Sequence, residues 1–202
     1  RYRSSYYKPS LQSLSFGLLS KVDERPFVLS TPRLPDENHL QVAADFNSPI
    51  VDAIFQAREV PISSQDVDEL FKGYEQTGGV SYRELFTTEK PRFSHVPVTE
   101  GIRLSYTGHA GFLVETKETA IMVDPIIASR ENNDDETMIS FSELPDTIDY
   151  ILLTHTHMDH ANIETLLQLR YKTKTIVVPK NNGGTLPDPS LRLMLQLSLI
   201  HI

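Results

Sequence analysis

Three of the seven histidines fall within six residues, in the run His155-Thr156-His157-Met158-Asp159-His160. An extended backbone places side chains i and i+2 on one face, so His155 and His157 can present both imidazoles to one metal ion. Asp159 and His160 come after the chain turns toward a helix, and so address a second position nearby. Imidazole and carboxylate donors suit zinc, iron or manganese, and a cluster without sulfur keeps iron in play. Two adjacent metals can share a bridging water or oxygen species and lower its pKa toward neutrality. A lone histidine is usually a satisfied core or surface residue. Three histidines and an aspartate between an apolar strand and an amphipathic helix are a different matter. Burying them without a metal would leave several polar groups to satisfy, each costing about 1–3 kcal/mol if unpaired.

The elements around the run are those needed to hold it. Ile148 to Thr154 is apolar enough for a buried strand that ends at the first histidine. A helix is expected from about Asn162 to Lys172, with Ile163, Leu166 and Leu167 along one stripe, and its N-terminus would favour an anionic group. Thr175 to Pro179 reads as a further strand. Strand, ligand loop, helix, strand is an α/β unit with its chemistry at the carboxyl end of a strand. Upstream, Ile102 to Tyr106 alternates with period two, and Phe112–Thr116 and Ala120–Asp124 form a hairpin. Gly108 and Gly111 flank His109. Asp124, before Pro125, reads as a turn former. The acidic stretch from Glu131 to Glu136 lacks calcium-loop spacing and reads as a solvated loop.

The first hundred residues are different in texture. Pro9, Pro26, Pro32, Pro35, Pro49 and Pro61 punctuate short apolar pieces, so long regular elements are not expected there. The clearest helix is expected from Ser64 to Gln76, where Val67, Leu70, Phe71 and Tyr74 share a face and Gly78-Gly79 ends the run. A shorter amphipathic piece surrounds Tyr82–Phe86, and Pro91 and Pro97 bracket a linker.

Composition narrows the classes. The 202 residues carry 27 acidic and 19 basic side chains, a formal charge of −8, which argues against a nucleic-acid binder. No apolar run approaches the roughly 18 residues of a membrane span, and no signal segment opens the chain. The absence of cysteine removes disulfides, zinc fingers, thiolate clusters and cysteine nucleophiles together. The chain reads as a soluble, cytoplasmic protein. It starts at Arg1, and Asp188-Pro189-Ser190 opens a helix with Asp188 as N-cap that meets Leu197-Ser198-Leu199-Ile200-His201-Ile202 with no polar close. Those last six residues are what CTG TCT CTT ATA CAC ATC encodes, a string matching a transposon adaptor used in library preparation. Residues 197–202 are therefore expected to be adaptor-derived, with the natural protein continuing past Gln196.

With the residues set out, a resemblance can be stated. Thr154-His155-Thr156-His157-Met158-Asp159-His160, preceded by Gly108-His109-Ala110 and Val123-Asp124-Pro125, resembles the metallo-β-lactamase superfamily. The fold this implies is α/β: residues 100–196 as the first half of an αββα sandwich, preceded over residues 1–99 by a smaller α+β N-terminal domain and linker. By that resemblance His155 and His157 bind one metal, Asp159 and His160 the other, Asp124 orders the ligand loop as an alternative to forming a turn, and His109 takes a packing position near the sandwich edge and not a ligand's. Asn162–Arg170 and Ile176–Gly184 look like a branch related to the di-iron β-hydroxylase of chloramphenicol biosynthesis, whose members carry such an N-terminal domain.

That branch implies a non-haem di-iron oxygenase using O2 to hydroxylate the β-carbon of an aminoacyl group. The group would be carried on a peptidyl carrier protein of a nonribosomal peptide synthetase, and the N-terminal domain would serve dimerisation or carrier docking. The alternative is a zinc-dependent hydrolase, of lactonase or phosphodiesterase type, in which Asp159 helps orient the attacking hydroxide. In either reading the remaining ligands are expected beyond residue 196, and the 202-residue chain alone is expected to be poorly active.

Overall fold

The computed structural model describes residues 8–18, 34–91, 93–127, 138–180 and 190–198. In the N-terminal part, proline and serine set where the chain can turn helical. Pro49 opens α1 (Pro49–Gln56) at its first position, where its missing N–H costs nothing, and Ile50 and Val51 are buried. Ser63 caps α2 (Ser64–Phe71), its hydroxyl accepting the Asp66 N–H, and Val67 and Phe71 face inward. This helix stops five residues short of the expected Gln76: Lys72 is extended and Gly73 takes φ +87°. Tyr74 still reaches the core from outside the helix, and its hydroxyl meets Ser48 Oγ at 2.6 Å. Three short strands, β1 (Leu14–Gly17), β2 (His39–Val42) and β3 (Gln76–Gly78), pair antiparallel in that order. A 3-10 turn at Tyr82–Leu85, closed by a Ser81–Glu84 capping box, completes this part.

A five-stranded sheet follows, ordered β4 (Arg103–Gly108), β5 (Gly111–Glu115), β6 (Ala120–Val123), β7 (Ile148–Leu152) and β8 (Thr173–Val177). The first three strands are antiparallel; β6, β7 and β8 run parallel. The register aligns Tyr106, Phe112, Val123, Leu152 and Val177 across the sheet. In consequence the β4–β5 turn and the carboxyl ends of β6 and β7 reach the same end. The helix between β7 and β8 is α3 (Ile163–Leu169), prolonged by a 3-10 turn at Arg170–Lys172. A last helix, α4, covers Leu191–Ser198, with Ser190 O accepting the Met194 N–H. The expected N-cap Asp188, the acidic stretch 131–136 and residues 199–202 lie outside the described residues.

Alternation along the strands sorts the side chains by face. Leu113, Met122, Ile151 and Ile176 lie on the covered face beneath α3, whose Leu166, Leu167 and Leu169 are buried. Phe112, Tyr150, Val177 and Leu104 point to the other face, and Leu104 remains 65% exposed. One cluster of buried apolar side chains runs from Leu14 and Val42 of the small sheet to Met122 and Ile151 of the large one, bridged where α1 packs on α3. The architecture is the expected mixed α/β half-sandwich behind a smaller N-terminal unit. No helix among the described residues is long and apolar enough to cross a membrane.

Candidate metal centre

The ligand loop begins where β7 stops. Leu153 N–H still bonds Val177 O of β8, and from Thr154 onward the backbone leaves the sheet. A turn follows in which His157 O accepts from both His160 and Ala161 N–H, and this folds the second half of the run back over the first. The His155 and His157 rings come to 4.5 Å between centroids, and His155 and His160 to 4.0 Å. The predicted ligands His155, His157, Asp159 and His160 are thus gathered at one end of the sheet. At the start of α3 the Asn162 side chain accepts the Thr165 N–H, so one donor of that helix end is already taken.

Asp124 sits at the end of β6 and ties the loop down. Its own N–H bonds Leu152 O, extending the parallel ladder by one step. Its carboxylate accepts Thr154 N–H at 2.7 Å and Thr154 Oγ–H at 2.6 Å, and meets His160 Nδ1 at 2.8 Å. Burial pushes this carboxyl up, but the bonds from Thr154 and His160 outweigh it and hold Asp124 below the ordinary carboxylate range. An ionised Asp124 only accepts, so His160 donates through Nδ1. Thr154 has one hydroxyl proton and gives it to Asp124, so the 2.9 Å contact with His155 Nδ1 is made by the ring's N–H. One buried carboxylate therefore sets the tautomer of two histidines and leaves Nε2 of each without a proton. Both readings of Asp124 hold geometrically: it turns the chain, at φ +41°, and it orders the loop.

His109 is where sequence reasoning fell short. The ring is 47% exposed, lies edge-on to the His160 ring with centroids 5.6 Å apart, and its Nε2 lies 2.8 Å from Asp159 Oδ2. His109, Asp159 and His160 each offer a donor atom, and these three atoms lie within 4.8 Å of one another. Partial desolvation works against ionising Asp159, but backbone and His109 hydrogen bonds hold its carboxyl below the ordinary range. A signal for His109 existed in its flanking Gly108 and Gly111, which mark a tight turn, but its partner lies fifty residues on. The donor set of imidazole and carboxylate atoms fits a borderline divalent cation, iron and zinc alike.

The chain is similar to known proteins. Residues 1–91 match the family described as the diiron non-heme beta-hydroxylase N-terminal domain. Residues 103–192 match the beta-lactamase superfamily domain. The 4-amino-L-phenylalanyl-[CmlP-peptidyl-carrier-protein] 3-hydroxylase of Streptomyces venezuelae is 32% identical over 197 residues, 94% of this chain and 36% of that protein. The crystal structure of CmlA, a diiron beta-hydroxylase from Streptomyces venezuelae, superposes with a TM-score of 0.74 at 30% identity. That superposition covers 97% of this chain and 36% of the other. A UPF0173 metal-dependent hydrolase of Brucella ovis is 29% identical over 102 residues, 42% of this chain and 41% of its own length. The chain thus spans about a third of the hydroxylase it resembles.

Proposed function

The chain joins a di-iron non-heme β-hydroxylase N-terminal domain to a β-lactamase-superfamily domain, and from that premise we propose that it belongs to a di-iron oxygenase. The reaction is hydroxylation of the β-carbon of an aminoacyl group carried on a peptidyl carrier protein. The observation that carries this reading is the extent of likeness: the hydroxylase aligns along 94% of the chain, the hydrolase along only 42%. A metal site alone would fit either protein; the N-terminal domain distinguishes them.

In this reading His155 and His157 hold one iron, and Asp159 and His160 the other. Bound iron supplies the O2 chemistry. Asp124 and Thr154 keep both Nδ1 atoms protonated, so that the rings of His155 and His160 offer Nε2. The N-terminal domain, within residues 1–99, is assigned to carrier docking or dimerisation. The second reading, a zinc-dependent hydrolase, is favoured by the likeness to the Brucella protein; there Asp159 orients the attacking water.

Elemental analysis of the protein that carries this chain, produced with iron and zinc both offered, tests the choice. About two irons per chain and oxygen incorporation into an aminoacyl carrier thioester are expected. A full complement of zinc with negligible iron, together with ester or phosphodiester hydrolysis, overturns the oxygenase.

A further inference from the structure

We propose that His109 is a positioning residue of the metal centre, its Nε2–H donating to Asp159 and fixing the carboxylate that holds the second metal. The proposal rests on the reading of Asp159 as a ligand.

The backbone supplies the first argument. Among the described residues, the non-glycine residues at positive φ are His109 at +51° and Asp124 at +41°. His109 is the first residue of the two-residue turn between Gly108 and Gly111. A positive φ at that position of a hairpin turn is normally given to glycine or asparagine. A histidine there is strained, and such strain persists where the side chain has a use. Asp124, the other strained residue, grips His160. His109 grips Asp159 in the same way. Each member of the Asp159-His160 pair is thus held by one residue in an unfavourable conformation, from a different strand end.

The second argument is hydrogen-bond geometry. The 2.8 Å separation of His109 Nε2 and Asp159 Oδ2 is that of a charge-assisted N–H···O bond. A carboxylate that holds a metal is ionised and can only accept, so in that arrangement Nε2 carries the proton and is not itself a metal donor. A carboxylate has lone pairs on both oxygens, and one bond to His109 leaves the rest for a metal. The turn is itself held in place, since Tyr106 Oη–H donates to His109 O at 2.9 Å.

The test compares His109→Gly and His109→Gln in the protein that carries this chain, by cobalt(II) titration followed through the visible absorption bands and by melting of the metal-free protein. Glycine suits the turn, so the metal-free melting temperature of His109→Gly is expected to be unchanged or higher. Its affinity for one of the two cobalt ions is expected to fall about 10–100-fold, the usual effect of losing a ligand's hydrogen-bond partner. Glutamine offers an amide N–H, and His109→Gln is expected to restore most of the loss. Unchanged cobalt affinities in His109→Gly overturn the proposal. So does His109→Gln binding as weakly as His109→Gly, which would make the ring itself a ligand. A lowered metal-free melting temperature with both ions lost would make the residue structural, and overturns it too. A parent protein that takes up no cobalt overturns the metal reading and this proposal together, and is seen before any variant is made.

Discussion

A single hydroxyl proton decides how His155 faces the candidate metal site. Thr154 Oγ–H goes to Asp124, so the oxygen must accept from His155 Nδ1. Thr154→Val removes that acceptor and leaves the His155 ring free to choose either tautomer. Metal affinity is expected to fall about 10–100-fold, while Thr154→Ser, which keeps the hydroxyl, stays near the parent; competition with a chelating dye measures both. The four motif residues were legible in the sequence because their spacing is local, and an extended run into a turn brings them together whatever surrounds it. Thr154 was not legible as more than a flanking residue, because its role exists only through Asp124, thirty positions earlier. His109 was read for packing alone for the same reason: nothing near it in sequence announces Asp159.

Among the elements, the β4–β5 hairpin has the tightest construction. The pairing shifts register between Tyr106 and Gly108, and the extra residue, Thr107, is fully buried. A Cβ on Gly111 would lie 2.2 Å from Thr107 Oγ1 and 2.9 Å from Gly108 O. Gly111→Ala is therefore expected to cost about 1–3 kcal/mol and to displace the His109 turn, lowering stability in urea and metal affinity together. Hairpin strands and their turn were readable because alternation and glycine are local signals. The end of α2 was not. Val67, Leu70, Phe71 and Tyr74 keep helical spacing, yet Gly73 at φ +87° ends the helix and Tyr74 finds the core from a loop. Periodicity reports which side chains are buried, and here it overstated how the backbone gets them there. The helix α1 was passed over because proline was taken as an interruption; at the first helical position it is a start.

At the scale of the molecule, the two sheets are joined through a pair of buried cations on the turn that follows α3. Arg170, 8% exposed, donates to Asp52 Oδ1 at 2.7 Å, to Ser48 O at 3.1 Å and to Phe46 O. Lys172, 2% exposed, bonds Glu59 and Pro145 O. Arg170→Ala strands the Phe46 carbonyl and the Asp52 carboxylate at the start of α1 and is expected to cost about 2–3 kcal/mol, read as a lower urea midpoint with an unchanged slope. Arg170→Lys recovers only part, because an ammonium lacks the planar fork. The half-sandwich with its preceding unit was legible as a plan, from the change of texture near Gly101. The joint was not, since Arg170 and Lys172 read as ordinary charges closing a helix. The joint also bears on biosynthesis. Glu59 leaves the ribosome 113 residues before Lys172, and at about 5–20 residues per second that is a wait of roughly 6–23 s. Throughout it, the Phe46 carbonyl and the carboxylates of Asp52 and Glu59 lack the partners that Arg170 and Lys172 supply. The small sheet and α1 are thus completed only once the turn after α3 has been made.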